Sequence, residues 1–168
     1  MGQTSSIPSE LIDRIIFSLR TENFDSFKSL LLDTTDFKEM YGRYGNKFQV
    51  LHSKSYLELE KELFDSSSGI YKKLFERLLA DGKNFDIDWG QIKNKKLVAA
   101  DPNGFTNPNL RQKIANLYFS YKDTFYVVFY ILVLNLSSGY KVGTIGFIRK
   151  LGIVTDAQLK QLESLKLF

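Results

Sequence analysis

Few side chains in this sequence could carry out acid–base chemistry. His52 is the only histidine, and it lies in what we expect to be a connector, which favours a surface or capping role over catalysis. Asp86 and Asp88 alternate with apolar residues in Phe85–Trp89, a pattern that predicts a half-buried strand with both carboxylates on one face. Two carboxylates held close together could share acid and base work, but the solvent face of a strand is the simpler interpretation.

Aromatic residues form a second candidate site, for binding rather than catalysis. Tyr126 and Tyr130 are four residues apart in one predicted strand, so strand alternation places them on the same face. Buried tyrosines whose hydroxyls face a cavity would suit an apolar ligand with one polar end. Core and rim packing is the alternative, because aromatic residues are often buried for packing alone. The predicted ligand-binding residues are Trp89, Tyr118, Tyr126 and Tyr130, and no catalytic residue is predicted.

Composition excludes several kinds of site. The chain has no cysteine and one histidine, which excludes disulfides, thiol catalysis and metal sites built from cysteines or several histidines. No glycine-rich nucleotide loop, nucleophile elbow or zinc-protease motif is present, so we predict neither a cofactor nor a metal. The net charge is +4 and the one dense basic run is Lys93–Lys96, which is typical of a solvated turn, so nucleic acid is not an expected partner.

Most of the helical signals lie in the first half of the chain. Leu11, Ile15 and Leu19 recur at helical spacing, and Ser55–Glu58 and Thr155–Gln158 fit capping boxes. Thr35 is expected to cap a short helix that stops near Gly42 or Gly45, and a long helix should close at Asp81-Gly82. The 168 residues fit one domain, with the following parts: a flexible lead at 1–7, a helical half at 8–82, an antiparallel sheet at 84–150 and a C-terminal helix at 155–168.

The strand signals lie in the second half. After Phe85–Trp89 we expect strands near 95–101, 112–121, 124–136 and 140–150, with a loop at 102–109. The 124–136 segment is apolar on both faces, so it should be a central strand that helices cover on one side. A bound molecule, a partner chain or the C-terminal tail would cover the other side. The predicted fold class is therefore α+β, with N-terminal helices packed on a curved antiparallel sheet of about five strands and a short C-terminal helix.

Two segments carry a family resemblance. FDIDWGQIKNKKLVAAD and IANLYFSYKDTFYVVFYILVLNL, within about residues 83–136, resemble small exported Bacteroidetes proteins of the nuclear transport factor 2-like, cystatin-like superfamily. Those proteins have an "IDW" strand before a sheet with an "AxLYFxYKGxxY" hairpin. The resemblance implies a cone-shaped fold, in which a curved sheet wraps a long helix and leaves a cavity at its open end. It also implies a periplasmic or cell-surface location, with membrane attachment only through a lipid anchor absent from this chain; the cytoplasm is the alternative.

Three functions are compatible with these patterns. The first is a non-catalytic domain that binds a small apolar or amphipathic molecule or a protein partner. The second is an enzyme of the dehydratase or isomerase type, which would need a carboxylate within hydrogen-bond reach of a tyrosine hydroxyl in the cavity. The third is a homodimerisation or assembly module, which would need an exposed apolar sheet face.

Overall fold

The structure, a computed structural model, describes residues 9–52, 55–65, 69–99 and 112–164. Within these residues the helices come first, an open antiparallel sheet of five strands follows, and a short helix comes last. The predicted α+β class is thereby confirmed. The predicted flexible lead at 1–7 and the predicted loop at 102–109 lie outside the described residues.

The helices follow the caps and apolar spacing of the sequence. Both predicted capping boxes are confirmed: Ser55 and Glu58 exchange hydrogen bonds, and so do Thr155 and Gln158. The described helices are α1 Ser9–Arg20, α2 Phe24–Lys28, α3 Thr34–His52, α4 Tyr56–Phe64, α5 Ile70–Asn84 and α6 Asp156–Ser164.

Helix α3 begins and ends differently from the prediction. Asp33, not Thr35, is its cap: Asp33 Oδ1 accepts hydrogen bonds from the backbone N–H groups of Thr35 and Asp36, both at 2.8 Å. Asp36 in turn accepts from the Asp33 N–H at 3.1 Å, which is a capping box made of two aspartates. The helix continues through Gly42 and Gly45, because an interior glycine costs only about 1 kcal/mol and Gly42 lacks the positive φ of a terminating glycine. Helix α5 likewise runs past the predicted stop.

The sheet is a meander around one long strand. The strands are β1 Lys93–Ala99, β2 Gln112–Tyr121, β3 Thr124–Leu136, β4 Gly139–Thr144 and β5 Ile148–Ile153. Their order is β1-β2-β3-β4, all neighbours are antiparallel, and β5 also pairs with β3. On the same side of β3, β4 pairs with its C-terminal half and β5 with its N-terminal half. The predicted central position of β3 is confirmed, whereas the predicted single strand at 140–150 is two strands.

The interruption between β4 and β5 is held by α5. Arg77 donates hydrogen bonds to the carbonyl oxygens of Ile145 and Gly146, at 3.3 and 2.9 Å. One helical turn later, Asp81 accepts from the N–H of Ile148 at 3.0 Å. A Cβ atom on Gly146 would collide with the carbonyl oxygen of Phe129. Partners more than sixty residues away therefore set the break, which local sequence does not indicate.

The predicted strand at Phe85–Trp89 is wrong, because this segment is a turn. Asp86 has a left-handed backbone with φ of 53°, and the N–H of Ile87 bonds back to the carbonyl of Gly82 at 2.9 Å. The two carboxylates do not share a face. Asp86 pairs with Lys122 at 3.0 Å, while Asp88 accepts hydrogen bonds within its own turn. Local side-chain bonds of this kind compete with strand pairing.

The two faces of the sheet are covered differently. The inner face packs against α1, α2 and α5, with the following core residues: Leu11, Ile15, Leu19, Phe27, Phe75, Leu78, Leu117, Phe119, Val128 and Ile131. On the outer face, Met40 of α3 packs against Leu134 and Leu136, and Leu159 of α6 packs against the cluster of Val98 and Phe125. The C-terminal helix therefore supplies part of the second cover that the apolar β3 pattern predicted.

A bulge in β3 overturns the predicted tyrosine pair. Asn116 of β2 stands opposite two residues of β3, and the inward positions change from Val128 to Ile131. Tyr130 has φ of 59°, and its N–H donates to Asn116 Oδ1 at 3.1 Å. Tyr126 is buried on the inner face, whereas Tyr130 is 54% exposed on the outer face. The extra residue reverses the alternation, so the prediction that they share a face is wrong.

Candidate ligand-binding cleft

The four residues predicted to bind a ligand do not line one cavity. Trp89 and Tyr126 are both buried in the core, on either side of Phe119, with ring-centroid distances of 5.5 Å in each case. Tyr118 is half-buried against the Val98 cluster of the outer face, and Tyr130 is exposed there. Of the four, only Trp89 lines a cleft described below.

Two adjoining clefts open beside α1 and share Arg20 and Trp89. The larger has a volume of about 280 Å³ and is also lined by Phe17, Ile92 and Lys95. The smaller has a volume of about 180 Å³. We refer to the two together as the Trp89 cleft. It lies where the end of α1 meets the turn that precedes β1.

The amphipathic pattern of α1 builds one wall. Its inward stripe buries Leu11, Ile15 and Leu19 in the core, so Phe17 falls on the outward side and is 47% exposed. Arg20, in the last helical turn, places its guanidinium 5.5 Å from the centroid of the Phe17 ring, within the range of a cation–π interaction. The wall therefore offers an apolar surface and a positive charge side by side.

Gly82 of α5 seats the indole that forms the floor. A Cβ atom at Gly82 would lie 2.9 Å from Trp89 Nε1 and 3.0 Å from its Cζ2. The indole packs against the helix backbone because this position has no side chain. On its other side Trp89 is held by Phe119, so the floor of the cleft is preformed.

The charges of the cleft are unevenly paired. Lys95 Nζ lies 2.6 Å from Asp13 Oδ1, and Asp88 accepts from the Gly90 N–H at 2.8 Å and from the Gln91 amide at 2.7 Å. Arg20 makes no ion pair within the described part of the chain, where its recorded contact is the Phe17 ring. It is therefore a cation available to an incoming anion.

A second polar group lies away from the cleft, where α3 begins. Asp36 is buried; its Oδ1 accepts from the Ser138 hydroxyl, and its Oδ2 accepts from the Asp33 N–H and lies 3.4 Å from Lys141 Nζ. Burial and the neighbouring Asp36 carboxylate raise the pKa of the Tyr71 phenol, so it is neutral at physiological pH. We call Asp33, Asp36, Tyr71, Ser138 and Lys141 the Asp36 cluster.

The Asp36 cluster has the residue types of an acid–base site but not its openness. Both oxygens of Asp36 already have partners, and none of its members lines the Trp89 cleft. A general base needs a route to the proton that it removes. The cluster joins the start of α3 to the β3–β4 turn, which is a structural role.

Other candidate chemistry is limited. His52 is the last residue of α3 rather than part of a connector. Across residues 9–52, 55–65, 69–99 and 112–164, no group of three or more histidine, cysteine or acidic residues could hold a metal ion, and no helix is long and apolar enough to cross a membrane.

Phe17 and Arg20 are the cleft residues that the sequence analysis missed. A signal for them existed: the inward stripe of α1 leaves one large aromatic residue on the polar side of the helix, three residues before an arginine. An exposed aromatic beside a cation is an ordinary sign of a binding surface. The cleft itself could not be seen, because its floor comes from a turn seventy residues later.

Comparisons with protein-family models, with curated proteins and with solved structures found no match. The superfamily resemblance and the exported location therefore stay predictions from the sequence segments that carry them.

Proposed function

We propose that this protein is a non-catalytic binding domain whose Trp89 cleft binds a small amphipathic molecule with an anionic end. The observation that carries the proposal is the position of Arg20, which has no acidic partner among the described residues and lies against exposed Phe17 in a cleft floored by Trp89. A carboxylate or phosphate would pair with the guanidinium. The apolar part of the same molecule would lie along Phe17, Trp89 and Ile92.

The size and openness of the cleft limit the ligand. A volume of about 280 Å³ is just below the range of about 300–1,000 Å³ that is usual for small-molecule pockets. The cleft is open to solvent along one side, so a short acyl chain or a single aromatic ring fits better than a large cofactor.

The arrangement of acids favours binding over catalysis. In the Trp89 cleft, Asp13 is paired with Lys95 and Asp88 is used by its own turn. The enzyme alternative requires a carboxylate near a tyrosine in a cavity, and the carboxylate nearest to that description, Asp36, is closed off by its partners.

The homodimer alternative would use strand edges or an exposed face. The outer strand β1 has a register irregularity between Lys93 and Lys96, and β5 has one beside Lys150. Lysines and bulges on outer strands oppose edge-to-edge pairing. These features weigh against dimerisation through the strand edges.

Trp89 is the only tryptophan of the chain, so its fluorescence reports on the cleft alone. Octanoate should change the emission saturably, and octanol, which has the same chain without the charge, should bind more weakly. Arg20→Gln should weaken octanoate binding roughly tenfold, as expected for loss of a charged hydrogen bond, and leave octanol unchanged. Lys28→Gln, an exposed cation on α2, is the matched control. Equal octanoate affinity in the wild type and Arg20→Gln would contradict the anion site, and no response to either probe would contradict the cleft.

A further inference from the structure

Four exposed residues form a row on the outer face of the sheet, away from the Trp89 cleft. Tyr130, Phe147 and Leu151 are 54%, 50% and 43% exposed, and Arg149 is exposed between the last two. We call these four residues the outer row. Large apolar side chains exposed close together mark an interaction surface more often than scattered ones do.

Pairing within the sheet places Tyr130, Phe147 and Arg149 of this row side by side. Phe147 lies against Phe129, with ring centroids 5.6 Å apart, and Phe129 is next to Tyr130 in the bulge. Arg149 stands opposite Val127, whose side chain points outward because Tyr126 and Val128 point inward. The row lies between the part of the outer face under α3 and the part under α6.

The row is held in place before any partner arrives. Asn116 fixes the left-handed backbone of Tyr130 through its N–H, and Arg77 and Asp81 fix the backbone on either side of Phe147. A preorganised surface binds with less loss of conformational entropy. Strained backbone at an exposed aromatic residue is also common at binding sites.

The positive charge of the outer row indicates what kind of partner would bind to it. Arg149 is exposed, and it makes no ion pair in the described ranges of the chain. A two-fold interface centred on Arg149 would bring this cation against its own equivalent in the second copy, which is unfavourable. A partner with carboxylates beside an apolar side chain would complement both the exposed apolar side chains and the positive charge of the outer row.

We infer that the outer row is a docking surface for a segment of another protein in which apolar side chains alternate with acidic ones. The apolar side chains would contact Phe147, Tyr130 and Leu151, and an acidic one would pair with Arg149. The outer row shares no residue with the Trp89 cleft, so binding at one site can be tested independently of binding at the other.

The test uses the full chain and an acetylated peptide of sequence Glu-Phe-Glu-Leu-Glu, with a Lys-Phe-Lys-Leu-Lys peptide as its charge-reversed counterpart. NMR titration should show shifts at Tyr130, Phe147 and Leu151 with the acidic peptide and none with the basic one. Arg149→Glu should weaken binding of the acidic peptide by roughly twofold to fivefold, as for other solvent-exposed ion pairs, and should allow the basic peptide to bind. Lys73→Glu, an exposed cation on α5, should behave like the wild type.

Three outcomes would overturn the inference. Equal binding of the two peptides would mean that Arg149 does not select the occupant. Co-sedimentation with phosphatidylserine vesicles that Arg149→Glu abolishes, without peptide binding, would assign the row to a membrane surface. A wild-type dimer in analytical ultracentrifugation that Leu151→Ser dissociates would assign it to a second copy.

Discussion

The Asp36 cluster and the Trp89 cleft contain the same kinds of side chain and differ in how many of them are already satisfied. In the cluster a buried carboxylate has a hydroxyl, a backbone N–H and an ammonium group as partners. In the cleft, Arg20 has an aromatic ring and no acid within the described structure. The cluster is closed and joins a helix to a turn, whereas the cleft is open and can accept a molecule.

This difference shows that residue type alone is a poor guide to function. The groups that a side chain already contacts decide whether it can bind a further molecule. A carboxylate and a phenol are residue types that can carry out acid–base chemistry, yet Asp36 and Tyr71 are part of the scaffold. An arginine at the end of a helix suggests only a favourable dipole interaction, yet here it is the charge that remains available. The following predictions test whether the two regions are as different as their contacts indicate.

The largest effect is expected from Asp36→Asn, which removes the charge of a buried carboxyl that pairs with half-buried Lys141. Removing one member of a buried ion pair costs about 3 kcal/mol of unfolding free energy. Urea denaturation measures the change, with Glu76→Gln, an exposed carboxyl on α5 in a loose pair with Lys72 at 3.7 Å, as the control that should change little. A loss of unfolding free energy below about 1 kcal/mol would mean that the Asp36 cluster contributes little to the stability of the fold.

The next effect is expected from Gly82→Ala, which adds a methyl group against the indole of Trp89. Overpacking a core costs about 1–3 kcal/mol, and the displaced indole should emit at longer wavelength. Gly42→Ala is the matched control, since a Cβ there meets no atom within 4 Å and should stabilise α3 by about 1 kcal/mol. Equal effects of the two substitutions would show that Trp89 is not seated on α5 as described.

A smaller effect concerns pH. The hydrogen bond from the Asp36 N–H, with help from Thr35 and Lys141, holds the pKa of Asp33 below its ordinary value of 3.8. The stability that this bonding contributes is therefore complete above the unfolded-state pKa and is lost as the pH falls through the lower folded-state pKa. Asp33→Asn keeps a capping side chain and should reduce the loss of stability between about pH 5 and about pH 2. Unchanged acid sensitivity in thermal unfolding would contradict this role of the cap.

The smallest effect on stability is expected from Arg20→Gln. An exposed side chain with no ion pair should change the unfolding free energy by less than about 0.5 kcal/mol, although the same substitution should weaken octanoate binding. A stability loss comparable with that of Asp36→Asn would mean that Arg20 is structural and would remove the contrast between the two regions.

The sequence predicts well where its signals are local. Both capping boxes, the amphipathic α1 and the central position of β3 are confirmed, because each depends on residues within a few positions of one another. The β2–β3 turn is also where the polar residues Lys122 and Asp123 indicate it. The helix at α3 is longer than predicted because a glycine without a left-handed φ does not end a helix.

The errors arise where distant partners decide the backbone. Phe85–Trp89 has the alternation of a strand, but its hydrogen bonds go to the preceding helix and to its own side chains. The division of β4 from β5 depends on Arg77 and Asp81 of α5. The bulge at Tyr130 depends on Asn116 of the neighbouring strand. Each of these contacts joins residues far apart in the chain, so local secondary-structure propensity does not predict it.

By itself, the sequence determined the α+β class, the order of helices and strands, the exclusion of thiol and multi-histidine metal chemistry, and Trp89 as a residue of interest. Composition and short-range spacing carry that information. The tertiary structure alone decided which charges are paired, that Tyr126 and Tyr130 lie on opposite faces, and that Phe17, Arg20 and Trp89 meet in one cleft. These outcomes depend on contacts between residues far apart in the chain, whose energies exist only once the helices and the sheet are packed together.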